Sequence, residues 1–210
     1  MRALRFLLIA LLCTVGVASA GAIEYQVMVD TSAISGTAGS LDFEFNPGPL
    51  VTQGASLQFL SFTSDGALGG SPALTGDVSG GPLPSALNFD NGTGFNDYFE
   101  GFTFGSSLTF DVMLYGPALS APDGISTSGS TFAFSMFSDA AGTVPVLTTD
   151  LANGFAVTVD VNLDGTTTVM NSSTETTVSP VSAVPEPSCL LPVAAFLALA
   201  GFGLRRHRRG

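Results

Sequence analysis

Apolar and polar residues alternate in short stretches along most of this chain. The alternation is clearest over residues 23–30, 41–45, 108–112, 132–137 and 155–163. Strands with one buried face and one solvent-facing face show this period of two. Clusters of Gly, Pro, Asn and Asp separate the stretches, as turns require. The pattern therefore predicts about nine or ten short strands, and no helix before the C-terminal tail.

Many short strands joined by frequent turns predict an all-β fold. We expect a two-layer antiparallel sandwich, with a jelly-roll-like path favoured over an immunoglobulin-like path. The chain contains 17 Phe residues, many of them on the inward side of the alternation, and these are expected to supply much of the core. The Gly- and Pro-rich residues 66–84 predict a long loop.

The N-terminus has the three parts of a secretory signal peptide. Arg2 and Arg5 form a basic start, an apolar run covers residues 6–17, and Ala18-Ser19-Ala20 follows as a small-x-small cleavage pattern. The apolar run is shorter than the roughly 20 residues that span a bilayer. We therefore predict that residues 1–20 are a signal peptide.

The C-terminus carries a second apolar segment between a proline motif and a basic tail. Residues 189–204 are apolar and uncharged, and the basic residues follow directly. Sixteen helical residues reach about 24 Å against a hydrocarbon core of about 30 Å, so the segment predicts a short single transmembrane helix. A helix of this length is better suited to holding the chain in the membrane temporarily than to anchoring it permanently. An ordinary tail anchor remains the alternative. The tail should remain cytoplasmic, since positive charge resists translocation.

These C-terminal features resemble the PEP-CTERM sorting signal of exported bacterial proteins. The residues that carry the resemblance are Val184, Pro185, Glu186 and Pro187, followed after the apolar segment by Arg205, Arg206, Arg208 and Arg209. The resemblance implies recognition by an exosortase-like enzyme, cleavage near the Pro-Glu-Pro motif, and delivery to the outer envelope or beyond. It implies roles for these residues in recognition only, and it covers only about the last 27 residues.

The ends and the body divide the chain into four parts. We predict a signal peptide at 1–20, a β-sandwich domain at 21–171, a flexible Ser- and Thr-rich stalk at 172–183 and the sorting signal at 184–210. Signal peptidase and the exosortase-like enzyme are the expected partners, with membrane contact through the C-terminal helix before processing.

Charge is distributed very unevenly between these parts. All 17 Asp and Glu residues lie between Arg5 and Arg205, and no Lys, Arg or His lies there; subtracting Glu186 leaves 16 acidic residues in the body. Nucleic acids and anionic lipid surfaces are poor partners for such a body, because phosphate binding needs Lys or Arg. Divalent cations, basic proteins and neutral glycans remain possible partners.

Two acidic motifs suggest calcium. Asp160, Asn162, Asp164 and Gly165 match the first half of an EF-hand-type loop, although Asn171 stands where a bidentate carboxylate is expected. The competing interpretation is a β-hairpin with a two-residue primed turn at Asp164-Gly165.

The second acidic motif consists of Asp90, Asn91, Asp97 and Glu100 around a Gly-Thr-Gly sequence. The four oxygen-bearing side chains could hold a structural calcium ion, as in loops of jelly-roll domains. The alternative is an ordinary turn rich in Asn and Asp, which tolerate left-handed backbone.

Catalysis finds little support, because the body contains no His, Lys, Arg or Cys for the usual nucleophile and base arrangements. A carboxylate-pair glycosidase stays a third option. We expect a non-enzymatic, exported surface or matrix protein, structural or adhesive within an extracellular polysaccharide layer. The alternative is a carbohydrate-binding module with calcium-supported loops, using Tyr25, Tyr98 or Tyr115 on a solvent-facing surface.

Overall fold

The computed structural model describes residues 21–181, which form two stacked antiparallel sheets. The thirteen strands of this part are β1 Ile23–Asp30, β2 Ala38–Pro47, β3 Ser56–Ser64, β4 Ala67–Leu68, β5 Ala73–Thr75, β6 Val78–Gly80, β7 Leu87–Asp90, β8 Asp97–Thr103, β9 Ser107–Tyr115, β10 Ser130–Phe137, β11 Phe155–Val161, β12 Thr167–Asn171 and β13 Thr176–Val181. A 3₁₀ turn covers Ser32–Ile34, and one four-residue helix, α1, covers Pro117–Ser120. The prediction of an all-β sandwich is confirmed.

The strands are shared almost equally between the two sheets. Sheet A has the order β13-β1-β9-β3-β7-β6, and sheet B has the order β12-β11-β10-β2-β8-β4, with β5 also pairing with β8. Strands that are distant in sequence pair in order: β1 with β9, β2 with β8, and β3 with β7. The chain thus follows one long folded hairpin, with β10–β12 added beside β2 and β13 beside β1.

The core lies between the sheets and is built largely from Phe side chains. Phe43 on β2 is fully buried, and its ring centroid lies 4.7 Å from Phe59, 5.3 Å from Phe110 and 5.0 Å from Phe134. Of the five ring contacts among these four residues, three are edge-on or T-shaped, a favoured arrangement of aromatic rings. The prediction that inward-facing Phe residues form the core is confirmed.

Two predictions about irregular segments are wrong. Residues 66–84, predicted as a long loop, contain β4, β5 and β6, which pair with β8 and β7. Residues 172–183 were expected to be a flexible stalk, but Thr176–Val181 form β13 along the edge of sheet A. Local composition does not show such strands, because their partners lie far away in the sequence.

β13 belongs to the sandwich by packing as well as by pairing. Val178 lies opposite Val27 and packs against the core, and Thr176 is buried. Solvent-facing positions of β13 carry Ser and Thr. The segment therefore lacks the clear apolar alternation by which a strand is predicted from sequence. The sandwich therefore continues to Val181, beyond the boundary predicted at residue 171.

Candidate functional site

A groove lies at one end of sheet B, where three strands end or begin side by side. Ser130 pairs with Pro47 on one side and with Val161 on the other, so the ends of β2, β10 and β11 are aligned. The groove has a volume of about 310 Å³, and its lining includes Gly48, Ser128, Thr131, Asp160, Asn162 and Leu163. We take this groove as the candidate ligand site, because polar side chains of three strands and their loops converge on it.

Glycine at position 129 allows these strands to approach closely at the groove. A Cβ at Gly129 would lie 2.0 Å from the Val161 carbonyl oxygen, so a larger residue would push β11 away. The Gly48 amide donates to the Gly129 carbonyl at 2.7 Å, which ties the two neighbouring loops together. The position therefore demands a residue without a side chain.

The polar side chains of the groove are held by a small hydrogen-bond network. Thr131 Oγ1 donates to Asp160 Oδ1 at 2.6 Å. Asn162 Nδ2 donates to Thr166 Oγ1 at 3.0 Å and to Thr168 Oγ1 at 2.9 Å. Among residues 21–181, Asp160 Oδ2 and Asn162 Oδ1 accept no side-chain or backbone hydrogen bond, so both oxygens remain available to a ligand.

Exposed aliphatic side chains accompany the groove. Leu163, which lines it, is 50% exposed. The loops that supply Gly48 and Ser128 also carry Leu50, Val51 and Ile125, which are 65%, 66% and 77% exposed. The Thr127 and Ser128 amides both donate to the Val51 carbonyl, so these two loops lie against each other. We call Leu50, Val51, Ile125 and Leu163 the aliphatic rim.

The Asp160–Gly165 segment forms a β-hairpin between β11 and β12, as one of the two interpretations predicted. The predicted turn type is wrong. The Gly165 amide donates to the Asn162 carbonyl at 3.1 Å, and only Gly165 has a left-handed backbone, with φ of +82°. This geometry is a type I turn followed by a glycine bulge. Asp164 serves the turn, because its Oδ1 accepts from the Thr166 amide and hydroxyl.

The second predicted calcium group is not assembled. Asp90 ends β7 in sheet A and accepts from the Ser56 hydroxyl, whereas Asp97 begins β8 in sheet B. Asn91 instead bridges neighbouring segments, donating to Gln53 O and Ser130 Oγ, both at 2.8 Å. Within residues 21–181, no group of three or more His, Cys, Asp or Glu side chains is arranged to hold a metal ion.

Asp97 joins a different set of carboxyl groups, which sequence reasoning missed. On the outer face of sheet B, Glu44 lies directly opposite Asp97, and Asp42 lies one step further along β2. Asp42 Oδ1 and Asp97 Oδ1 are both buried without a hydrogen-bond partner among the described residues, and the two carboxyl groups are near enough to influence each other's titration. We call Asp42, Glu44 and Asp97 the carboxyl cluster.

Burial and mutual repulsion change the protonation of the carboxyl cluster. Burial, reinforced by hydrogen bonding to Asp97 and by its charge, raises the pKa of Asp42 to about 9. Burial also raises the pKa of Asp97 and, together with the charge of Asp97, the pKa of Glu44. One proton shared between Asp42 and Asp97 satisfies both unpartnered oxygens, since two facing carboxylates cannot both ionise at low cost.

Two of the three tyrosines predicted to face solvent are buried instead. Tyr98 is fully buried, and its hydroxyl donates to Glu100 Oε2 at 2.6 Å and accepts from the Leu83 amide at 3.0 Å. Tyr25 is 9% exposed, and its hydroxyl lies 2.7 Å from Thr167 Oγ1 in the other sheet. Tyr115 is half-buried on β9. Tyr25 and Tyr98 therefore cannot form a solvent-facing binding surface.

The predicted targeting segments lie outside the described residues. This applies to the signal peptide at 1–20 and to the sorting-signal residues Val184, Pro185, Glu186, Pro187, Arg205, Arg206, Arg208 and Arg209. In the part of the chain that the structure covers, no helix has the length and apolar character needed to cross a bilayer. The transmembrane sorting helix therefore stays a prediction.

No protein-family model, curated protein or solved structure matches this chain. Its function is therefore argued from its own residues.

Proposed function

We propose that the protein is exported and acts as a structural or adhesive component of the cell surface or of an extracellular polysaccharide layer. The observation that carries the proposal is the charge distribution. A complete β-sandwich without any Lys, Arg or His occupies residues 21–181, and every basic residue of the chain lies in the flanking ends. Such a chain suits export, because basic ends resist translocation while the acidic body does not.

The proposal includes processing at both ends. Residues 1–20 would be removed by signal peptidase, and the segment from Val184 onward would be recognised by an exosortase-like enzyme. β13 ends at Val181, only a few residues before Pro185. The enzyme would consequently act close to the edge of sheet A.

We also propose that the strand path is a jelly roll. In that architecture a long antiparallel hairpin folds into two sheets and leaves few open edges. The pairing of β1 with β9, β2 with β8 and β3 with β7 supports this description. The added strands β10–β13 extend both sheets beyond the hairpin.

A non-enzymatic role fits the side chains of the sandwich best. The described residues contain no Lys, Arg, His or Cys, which removes most nucleophile and base combinations. Asp42 and Asp97 form a carboxyl pair on the outer face of sheet B, and one oxygen of each is buried. Glycosidases place their two carboxyl groups on either side of a bound sugar, so a buried pair of facing carboxyl groups is unsuited to that reaction.

Intact-mass measurement of the native protein from the culture medium and cell envelope tests the proposed export. We expect a species that begins at Gly21 and ends near the Pro-Glu-Pro motif. A matched variant with Arg205, Arg206, Arg208 and Arg209 replaced by Gln should accumulate with an unprocessed C-terminus. Recovery of the full 210-residue chain from the cytosol in its native host would overturn the proposal.

A second candidate function is a carbohydrate-binding module. The groove at the end of sheet B favours it, because this groove offers unused oxygen acceptors beside exposed aliphatic side chains. Calcium support of the loops is not part of this candidate, since Asp90 and Asp97 lie in different sheets and Asp164 serves the turn.

A further inference from the structure

We infer that the groove at the end of sheet B binds an uncharged, hydroxyl-rich glycan chain. The inference deepens the proposed function, on which it rests, by naming a ligand class and a place for it. It follows from the hydrogen-bonding state of three side chains, from the charge of the sandwich and from the aliphatic rim.

The hydrogen-bond network fixes three side chains of the groove as acceptors, while the Ser128 and Ser130 hydroxyls, which also line it, keep a hydrogen to donate. The Thr166 hydroxyl gives its single hydrogen to Asp164 Oδ1, so it must accept from Asn162 Nδ2. Asn162 therefore presents its carbonyl oxygen to the ligand. Thr131 gives its hydrogen to Asp160 and presents lone pairs, as does Asp160 Oδ2. A ligand that binds these acceptors in the groove must supply several hydrogen-bond donors.

Charge excludes anionic ligands from the groove. Asp160 lines it, and residues 21–181 contain no Lys, Arg or His to offset the acidic residues. Phosphates, uronates and other carboxylates would meet uncompensated repulsion. The remaining ligand classes are metal ions, basic peptides and neutral polyols.

Exposed aliphatic side chains near the groove separate metal ions from neutral polyols, and the poly-lysine gel described below tests basic peptides. A metal ion gains nothing from apolar side chains and would need a set of carboxylates, which the described residues do not form. A sugar ring presents both hydroxyl donors and a face of C–H groups, and Leu163, which lines the groove, is exposed enough to contact that face. The groove volume, about 310 Å³, suits a few sugar units of a longer chain lying across it.

Native affinity electrophoresis of the purified, exported protein tests the inference. The gels would contain a neutral glycan (dextran, mannan or galactan), an acidic glycan (polygalacturonate), a basic polypeptide (poly-lysine), or no polymer. We expect at least one neutral glycan to retard the protein and polygalacturonate not to do so. Binding of poly-lysine alone, or retardation by none of the neutral glycans, would overturn the inference.

Two groove variants and one matched control locate the binding. Asp160→Asn keeps the shape and removes a charged acceptor, and it should weaken binding about tenfold. Ser128→Tyr would fill the groove and should abolish retardation. Asp77→Asn makes the same charge change on an exposed turn between β5 and β6 and should bind like the unaltered protein.

Circular dichroism of each variant confirms that the sandwich is intact. Equal weakening by Asp77→Asn and Asp160→Asn, or unchanged binding by folded Ser128→Tyr, would place the glycan elsewhere and contradict the inference. If no neutral glycan binds but both ends of the protein are processed as expected, the inference fails and the proposed export is unaffected.

Discussion

At the scale of single residues, shared protons and turn contacts determine how the acidic side chains of this protein are accommodated. The exposed carboxylates of Asp65, Asp123 and Asp139 accept hydrogen bonds from nearby Ser or Thr residues and backbone amides, and these bonds lower their pKa values. Such bonds favour the ionised side chain in the folded protein and contribute stability that is lost as the pH falls below about 4. The carboxyl cluster behaves in the opposite way.

Asp42 should make the folded protein less stable as the pH rises. Its pKa is raised on folding from 3.8 to about 9, so the folded chain binds a proton that the unfolded chain releases. The contribution of Asp42 to the free energy of unfolding is fully present below about pH 4. It is lost progressively as the pH rises to about 9. The groups facing Asp42 are Asp97 and Glu44, both acidic, and no described residue is basic.

Asp42→Asn should flatten this pH dependence, because an amide can donate to Asp97 without a titrating proton. The melting temperature, measured from pH 5 to pH 9, should fall steadily for the unaltered protein and much less for the variant. Asp77→Asn, on an exposed turn, should show the unaltered slope. A variant slope equal to that of the unaltered protein would contradict the shared proton.

At the scale of elements, the position of β13 determines where the folded body ends. The strand pairs with β1 from Thr176 to Val181, and Val178 covers part of the core. Each backbone hydrogen bond contributes about 0.5–1.5 kcal/mol, and a buried valine adds to this. β13 is therefore a stabilising part of sheet A.

Shortening the chain tests this role of β13. A chain from Gly21 to Glu175 should lose about 3 kcal/mol of unfolding free energy relative to a chain from Gly21 to Val181. Urea denaturation measures the difference. Hydrogen exchange offers an independent check, because the amides of β13 that bond to β1 should exchange more slowly than those of the preceding turn at 174–175. Equal stability of the two chains would restore the interpretation of residues 172–183 as a stalk.

At the scale of the whole molecule, repulsion among 16 acidic residues works against the compact state of the body. Added salt should reduce this repulsion, since the Debye length falls from about 30 Å at 0.01 M to about 3 Å at 1 M. We expect the melting temperature to rise with NaCl, by about 2–4 °C for each kcal/mol of repulsion screened. Scanning calorimetry across this range measures it.

Calcium provides the matched comparison for the salt experiment. Because the described residues form no metal-binding group, CaCl₂ and MgCl₂ at equal ionic strength should raise the melting temperature equally. A larger rise with calcium, reversed by a chelator, would instead support the calcium sites predicted at Asp160, Asn162 and Asp164 or at Asp90 and Asp97.

Local patterning explains which features were predictable. The alternation over residues 23–30 and 155–163 identified β1 and β11, since each strand face has a uniform environment. It also brought Asp160 and Asn162 to one side of the chain, where both now line the groove. The carboxyl cluster was not predictable, because Asp97 meets Asp42 and Glu44 only through the pairing of β8 with β2.

Sequence alone determined the all-β class, the aromatic core and the separation of charge between body and ends, because these depend on residue type and on a period of two along the chain. Tertiary structure decided which strands are neighbours, and with them the groove, the shared proton and the membership of β13. These features arise from contacts between residues far apart in sequence. Their register is set by backbone pairing and by the packing of Phe side chains across the sandwich.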